Sequence, residues 1–147
     1  MNQIFIYAAD KTADLKNKKT VKLLLIRLFA KEKVILKRVD YIFCSDEYLQ
    51  RMNSQFLNHD ALTDTITFPF SDPGKPVSGE VYLSTDRIEE NAKKYSVKYQ
   101  NELLRVMIHG ALHLCGYTDK TKTEKHMMRS KEDYYIKQFK VSREAYG

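Results

Sequence analysis

The run His109-Gly110-Ala111-Leu112-His113-Leu114-Cys115-Gly116-Tyr117-Thr118-Asp119 decides how the rest of the chain is read. It closes an apolar stretch with Leu103, Leu104, Met107, Ile108 and Leu112 at helical spacing, which predicts a helix over Gln100–Leu114. On a helix, residues four apart lie ~40° apart around the axis and one turn apart along it. His109 and His113 therefore aim their imidazoles at a common point. Gly116 stops the helix as the residue just past its end, because glycine accepts the left-handed backbone that a sharp reversal needs. Asp119 follows three residues later and is carried round toward the same point. Cys115 stands about 240° from His109 around the helix, which excludes it from that convergence.

This is the ligand pattern H-x-x-x-H-x-x-G-x-x-(H or D), the spacing of the long zincin signature. Two imidazoles and one carboxylate with a vacant fourth position are the donor set of a catalytic zinc site, and nickel or iron also accepts them. The expected ligands are His109, His113 and Asp119, around one zinc ion. His126 is a rival third ligand, and His59 is a further histidine with no spacing argument behind it. A zinc peptidase of this class needs Glu directly after the first His as its general base, and here that position is Gly110. A glycine there is expected to leave open space beside the metal for a bulky anionic group.

Outward from this helix, residues 3–9 alternate as a strand, and Thr20 is placed to cap a helix from Val21 to about Lys33. Val39–Cys44 is β-rich. Ser45 then reads as an N-cap, with Asp46 and Glu47 in a first turn where the helix dipole favours acidic groups. That helix points Leu49, Met52 and Phe56 inward and ends near Leu57, ahead of a loop at Asn58–Leu62. Thr63–Phe70 and Glu80–Ser84 read as a hairpin joined through the Pro- and Gly-rich turn at Ser71–Gly79. Ser84 or Thr85 caps a helix from Asp86 to Tyr95, and a last helix runs from Thr123 to Phe139. The order β-α-β-α-β-β-α-α-α predicts an α+β (mixed α/β) fold. It has a single mixed β-sheet of about four strands packed with about five helices, in one domain spanning residues 1–147.

The composition is that of an ordinary globular chain: 147 residues, 43% apolar and 30% charged. No run is long enough to cross a bilayer, and the first ten residues read as a strand, not a signal peptide. Cys44 and Cys115 form no Cys-x-x-Cys pair and are expected to be free thiols in a reducing cytoplasm. The net charge is +6, with basic residues dense at 11–22, 31–38 and 93–98 and again at Lys120, Lys122 and Lys125. Such a surface concentrates polyanions such as RNA, although solvated helix faces carry the same pattern.

At this point the sequence resembles the YbeY family, the bacterial rRNA-maturation endoribonucleases. The family's H-G-x-L-H-L-x-G-Y-D-H corresponds to His109–Asp119. Gly79-Glu80-Val81-Tyr82-Leu83-Ser84, Asp86-Arg87, Asn91-Ala92 and the run from Glu102 to His109 resemble the family's approach to that helix. Thr63–Pro69 resembles its T-D-V-L-S-F-P strand. The resemblance covers about residues 39–135. It implies metal-dependent cleavage of single-stranded RNA in small-subunit rRNA processing and ribosome quality control. It also implies a cytoplasmic location, a ribosomal small-subunit partner, and neither DNA nor membrane as a partner. Two departures stand out. Asp119 fills a place that is His in most members, and Leu57 stands where many carry an arginine linked to RNA cleavage. Another cation, such as Arg105, Arg87 or a lysine, is then expected to steady the developing charge, with Arg105 also open to a supporting role on the metal helix. A non-catalytic rRNA or ribosome assembly factor with a structural metal is the alternative function, and a peptidase-like hydrolase is disfavoured by Gly110.

Overall fold

The computed structural model describes residues 3–57 and 63–146, with side chains for 3–55 and 63–140. The Asn58–Leu62 loop with His59, and the side chains of Phe56 and Leu57, lie outside the described residues. Four strands, β1 (Ile4–Ala8), β2 (Leu36–Cys44), β3 (Thr65–Pro69) and β4 (Val77–Ser84), form one sheet in the order β1-β2-β4-β3. β1, β2 and β4 run parallel and β3 is antiparallel to β4, so the sheet is mixed, as expected. Five helices accompany it: α1 (Lys18–Lys31), α2 (Asp46–Leu57), α3 (Thr85–Lys94), α4 (Tyr99–Leu114) and α5 (Lys122–Tyr146).

Several boundaries differ from the sequence expectation. α1 starts at Lys18 because the Val21 N–H already bonds the Asn17 carbonyl at 2.9 Å, which places Thr20 inside the first turn and not at its cap. β2 and β4 each begin three residues earlier, at Leu36 and Val77, which pair with each other. α5 continues past Phe139 to Tyr146. The caps on α2 and α3 come from Ser45 and Ser84, whose hydroxyls accept from the Tyr48 and Arg87 N–H groups at 3.1 Å.

α1, α3 and α4 end alike. In each, a residue with positive φ follows the cap (Lys33, Ser96 and Gly116), and the next N–H reaches back to a carbonyl five residues earlier. These are Schellman turns. On α4 the turn at Gly116, with φ 105°, lets the Tyr117 N–H bond the Leu112 carbonyl at 3.0 Å.

α4 is the centre of the molecule. It packs against α1, α3 and α5 as well as β3 and β4, which explains its nearly continuous apolar sequence. Leu103, Met107, Ile108 and Leu112 join Leu25, Phe29, Tyr41, Phe43, Val81 and Leu83 in one core. Tyr41 is fully buried and donates its hydroxyl to the Met107 carbonyl at 2.9 Å, fixing α4 to the sheet. A second, smaller cluster of Cys44, Leu49 and Ile66 is built around α2.

Two glycines set how closely α4 approaches the sheet. A Cβ on Gly79 would lie 2.8 Å from a Leu114 methyl and from the Phe68 carbonyl. A Cβ on Gly110 would lie 2.6 Å from Val81 Cγ1. Gly110 therefore does not provide the open space expected beside the metal. It faces β4, and the space that a side chain would occupy is filled by Val81.

Candidate metal centre

The last turn of α4 and the Schellman turn after it bring His109, His113 and Asp119 together. The two Nε2 atoms are 3.0 Å apart, and Asp119 Oδ2 lies 3.3 Å from His109 Nε2 and 3.6 Å from His113 Nε2. Zinc bonds of about 2.0–2.1 Å in tetrahedral geometry place their ligand atoms roughly 3.4 Å apart. The observed triangle has that size. All three side chains keep part of their surface exposed, 23%, 24% and 40% in the order given, so one side of the triangle opens to solvent.

The hydrogen-bond partners fix the ring tautomers. His113 Nδ1 faces the Tyr117 carbonyl at 2.9 Å, and a carbonyl can only accept. His109 Nδ1 faces Glu132 Oε2 at 2.7 Å. Protonation at both Nδ1 atoms turns both Nε2 lone pairs inward, where they meet a carboxylate oxygen. Three acceptors directed at one point are mutually repulsive unless a cation lies between them, so the chemistry of the donor set fits a metal ion. Among the described residues these three alone form a group of His, Cys, Asp or Glu able to hold an ion. His126 is exposed on α5 and outside the group, and Cys115 packs on the core as its angle on the helix required.

Burial alone would lower the His109 pKa. Its bond to Glu132, with the charges of Asp119 and Asp64, outweighs that and leaves it raised. Burial and the neighbouring His109 lower that of His113. Asp64, at the start of β3, is raised by burial, with His109 partly offsetting the effect.

The sequence reading missed Glu132. Its side chain is 6% exposed and accepts from both His109 Nδ1 and Arg105 Nη1, the latter at 2.9 Å. It stands where a carboxylate partner orients an imidazole in metal sites. One signal pointed to it: Glu132 falls in the stripe Met128, Tyr135 and Phe139 that buries α5. Glu32 was missed for the same reason. It follows Leu25, Leu28 and Phe29 on the buried face of α1 and accepts from the Tyr117 hydroxyl at 2.6 Å, from Tyr135 and from Lys131. Glu32 thus fixes the residue whose carbonyl holds His113.

The expected cations are placed differently. Arg105 lies beside the centre, but its guanidinium is committed to Glu132 and, at 2.7 Å, to Asp133, so it supports Glu132. Arg87 sits on α3, paired with Asp46 at 2.9 Å and Glu90 at 3.3 Å, and lines neither cavity at the triad.

Those two cavities meet at Asp64, His109 and Asp119. One, of about 470 Å³, runs between α3, α4 and α5 past Arg105, Lys125 and Arg129. The other, of about 610 Å³, follows the outer edge of β3 past Thr63, Thr65 and Thr67 to Gly116.

Comparisons with known proteins show the family. The family model described as Endoribonuclease YbeY matches residues 5–140. Endoribonuclease YbeY of Flavobacterium johnsoniae is 48% identical over 103 residues, covering 70% of this chain and 73% of its own. The protein of the same name from Cytophaga hutchinsonii is 44% identical over 130 residues, covering 88% and 91%. The solution structure of TM1509 from Thermotoga maritima matches with a TM-score of 0.66 at 30% identity, over 97% of this chain and 93% of that one. The likeness anticipated from the metal helix thus extends through strands and helices on both sides of it, and the chain belongs to the YbeY endoribonuclease family.

Proposed function

We propose that this chain, acting as one domain over residues 1–147, is a metal-dependent endoribonuclease that cuts single-stranded RNA during small-subunit rRNA maturation and ribosome quality control in the cytoplasm. Its partners are then single-stranded rRNA and the small ribosomal subunit. Endonucleolytic action on RNA follows from family membership. Among the described residues no helix is long and apolar enough to cross a membrane. The observation that carries the metal dependence is the triangle of His109, His113 and Asp119, with both imidazoles held through Nδ1 and one side open to solvent.

In this reading those three residues hold one ion, and zinc suits two nitrogens and one carboxylate oxygen. An ion so held supplies Lewis acidity that polarises a phosphoryl oxygen and makes water a better nucleophile near neutral pH. Glu132 keeps His109 in the tautomer that presents Nε2, and the Tyr117 carbonyl does the same for His113. Asp64 projects into both cavities from β3, beside His109, and is placed to accept a proton from a nucleophile or return one to a leaving group. The peptidase reading loses further ground. Val81 fills the place of a side chain at Gly110, so no glutamate base fits there.

The test is elemental analysis of purified protein, followed by cleavage of a single-stranded RNA with and without chelator. His113→Ala and Asp119→Ala should each abolish bound metal and cleavage while the fold persists. Undiminished cleavage by metal-free protein would refute the proposal. Tight RNA or ribosome association without turnover would instead favour the assembly-factor reading.

A further inference from the structure

The two cavities at the triad differ in charge. Among the described residues the one along β3 is lined by neither lysine nor arginine, and its polar groups are threonines, Asn53, Tyr117 and His113 besides the shared Asp64, His109 and Asp119. The one between α4 and α5 contains Arg105, Lys125 and Arg129. Arg105 is neutralised by Glu132 and Asp133, as described above. Lys125 and Arg129 are exposed, and neither has an ion pair among the described residues. They are four apart on α5, so they share a face and stand one helical turn apart. Glu102, Glu132 and Asp64 lie deeper in the same cavity. Glu132 is already engaged by Arg105 and His109. Among the described residues that line the two cavities, the cations without an ion pair therefore sit at the rim of one, on α5, where the charge of Arg129 also acts on Glu102.

We propose that Lys125 and Arg129 form a subsite for a phosphodiester of the substrate strand that flanks the one being cut, and so set the direction in which single-stranded RNA crosses the centre. The sugar-phosphate backbone on one side of the scissile bond follows α5, where these cations neutralise it. The strand on the other side lies along the β3 edge, which offers hydroxyls and no cation. This rests on the endoribonuclease reading for its substrate, but the binding of a single strand can be measured without turnover.

The experiment is fluorescence anisotropy of the metal-loaded protein with a single-stranded phosphorothioate RNA, which keeps the backbone charge and resists hydrolysis, over a range of salt concentrations. Each cation lost from a single-strand interface lowers the slope of log affinity against log salt by about 0.7. Lys125→Gln with Arg129→Gln should therefore reduce the slope by about 1.4. As a control of equal charge, Lys137→Gln with Lys140→Gln lies about 12 Å further along α5, beyond a Debye length, and should leave the slope unchanged. Matched melting temperatures establish that both variants fold. An unchanged slope in the first pair, or an equal fall in both pairs, overturns the subsite. RNA cleavage by the wild-type protein is scored separately. Its absence alongside a selective loss of slope would remove the endoribonuclease reading and leave the subsite standing, and cleavage with no selective loss would do the reverse.

Discussion

Gly110→Ala is the sharpest test of how the metal helix is held. Alanine in place of glycine inside a helix ordinarily stabilises it by up to about 1 kcal/mol. Here the added Cβ would lie 2.6 Å from Val81 Cγ1, a distance that cannot persist, and a tight 3.1 Å from Cγ2. Val81 is fully buried on β4, which lies between β2 and β3, and its branched side chain has one favoured rotamer, so it cannot swing aside. α4 must shift outward instead, and overpacking of this kind costs about 1–3 kcal/mol. Set against the gain in helix propensity, the net effect is destabilisation of about 1 kcal/mol. For a chain of this length that is a fall in melting temperature of roughly 3 °C. The same shift displaces His109, the adjacent residue, relative to Glu132 on α5, so metal affinity should fall as well. Val81→Ala removes the two methyl groups that Cβ would meet, so the double variant should be more stable than the sum of the singles by about 1–2 kcal/mol. Thermal melts with and without metal, and a competition titration with a zinc chelator, measure all of this. A Gly110→Ala protein as stable as wild type with unaltered metal affinity would refute the argument that close approach to β4 fixes the site.

Glu132→Gln should weaken metal binding by 10–100-fold, because a neutral amide orients and polarises the His109 imidazole less well than a carboxylate. Chelator competition measures it, and wild-type affinity would show that the Glu132 bond is incidental. Glu32→Gln leaves the buried Tyr135 hydroxyl, the half-buried Tyr117 hydroxyl and the Lys131 ammonium poorly matched and should cost about 1–2 kcal/mol of unfolding free energy, read by denaturant titration. If the Tyr117 turn depends on Glu32, zinc affinity falls with it. Burial pushes the Glu32 carboxyl up, but Tyr117, Tyr135 and Lys131 outweigh that and hold it below its ordinary 4.5. Its contribution to stability is therefore present above pH 4.5 and is lost as pH falls through the lower folded-state value. Acid destabilisation in that window should be shallower in Glu32→Gln than in wild type. Removing the ion with a chelator should lower the melting temperature reversibly, since an ion bound only by the folded chain stabilises it by mass action.

The parts of this site that were legible in the sequence are those fixed by the geometry of one helix. Spacing four along α4 aims two histidines together, and a glycine past its end turns the chain back, without help from the rest of the fold. Element types were legible for a similar reason, since the alternation in β3 and the apolar run of α4 reflect burial on one face or all round. The start of α1 was not. The Asn17 carbonyl begins the helix with no side-chain cap, while Thr20 imitated one. Gly110 was misjudged because an empty side chain in the sequence does not reveal what fills the space, and here it is Val81 from a strand about thirty residues earlier. Leu57 marks a missing cation but says nothing of what replaces it. Lys125 and Arg129 become candidates only once α5 is known to lie across α4.

Glu32 and Glu132 share a cause that goes beyond this site. Glu132 occupies a position within α5, and Glu32 the cap that closes α1, where amphipathic patterning calls for an apolar residue, and each side chain is buried by the packing that patterning predicts. A buried carboxylate is costly unless it is fully hydrogen-bonded. Glu132 meets that condition through Arg105 and His109, and Glu32 through two tyrosines and Lys131. Their bonds converge from α1 and α5 on the two ends of the metal segment, His109 and the Tyr117 turn. The ligands are therefore held by the long-range packing of three helices, although their spacing is local. A carboxylate in an otherwise apolar stripe is thus the mark, visible in sequence, of a group that must be partnered across the core, and in this chain both such partners lead to the metal centre.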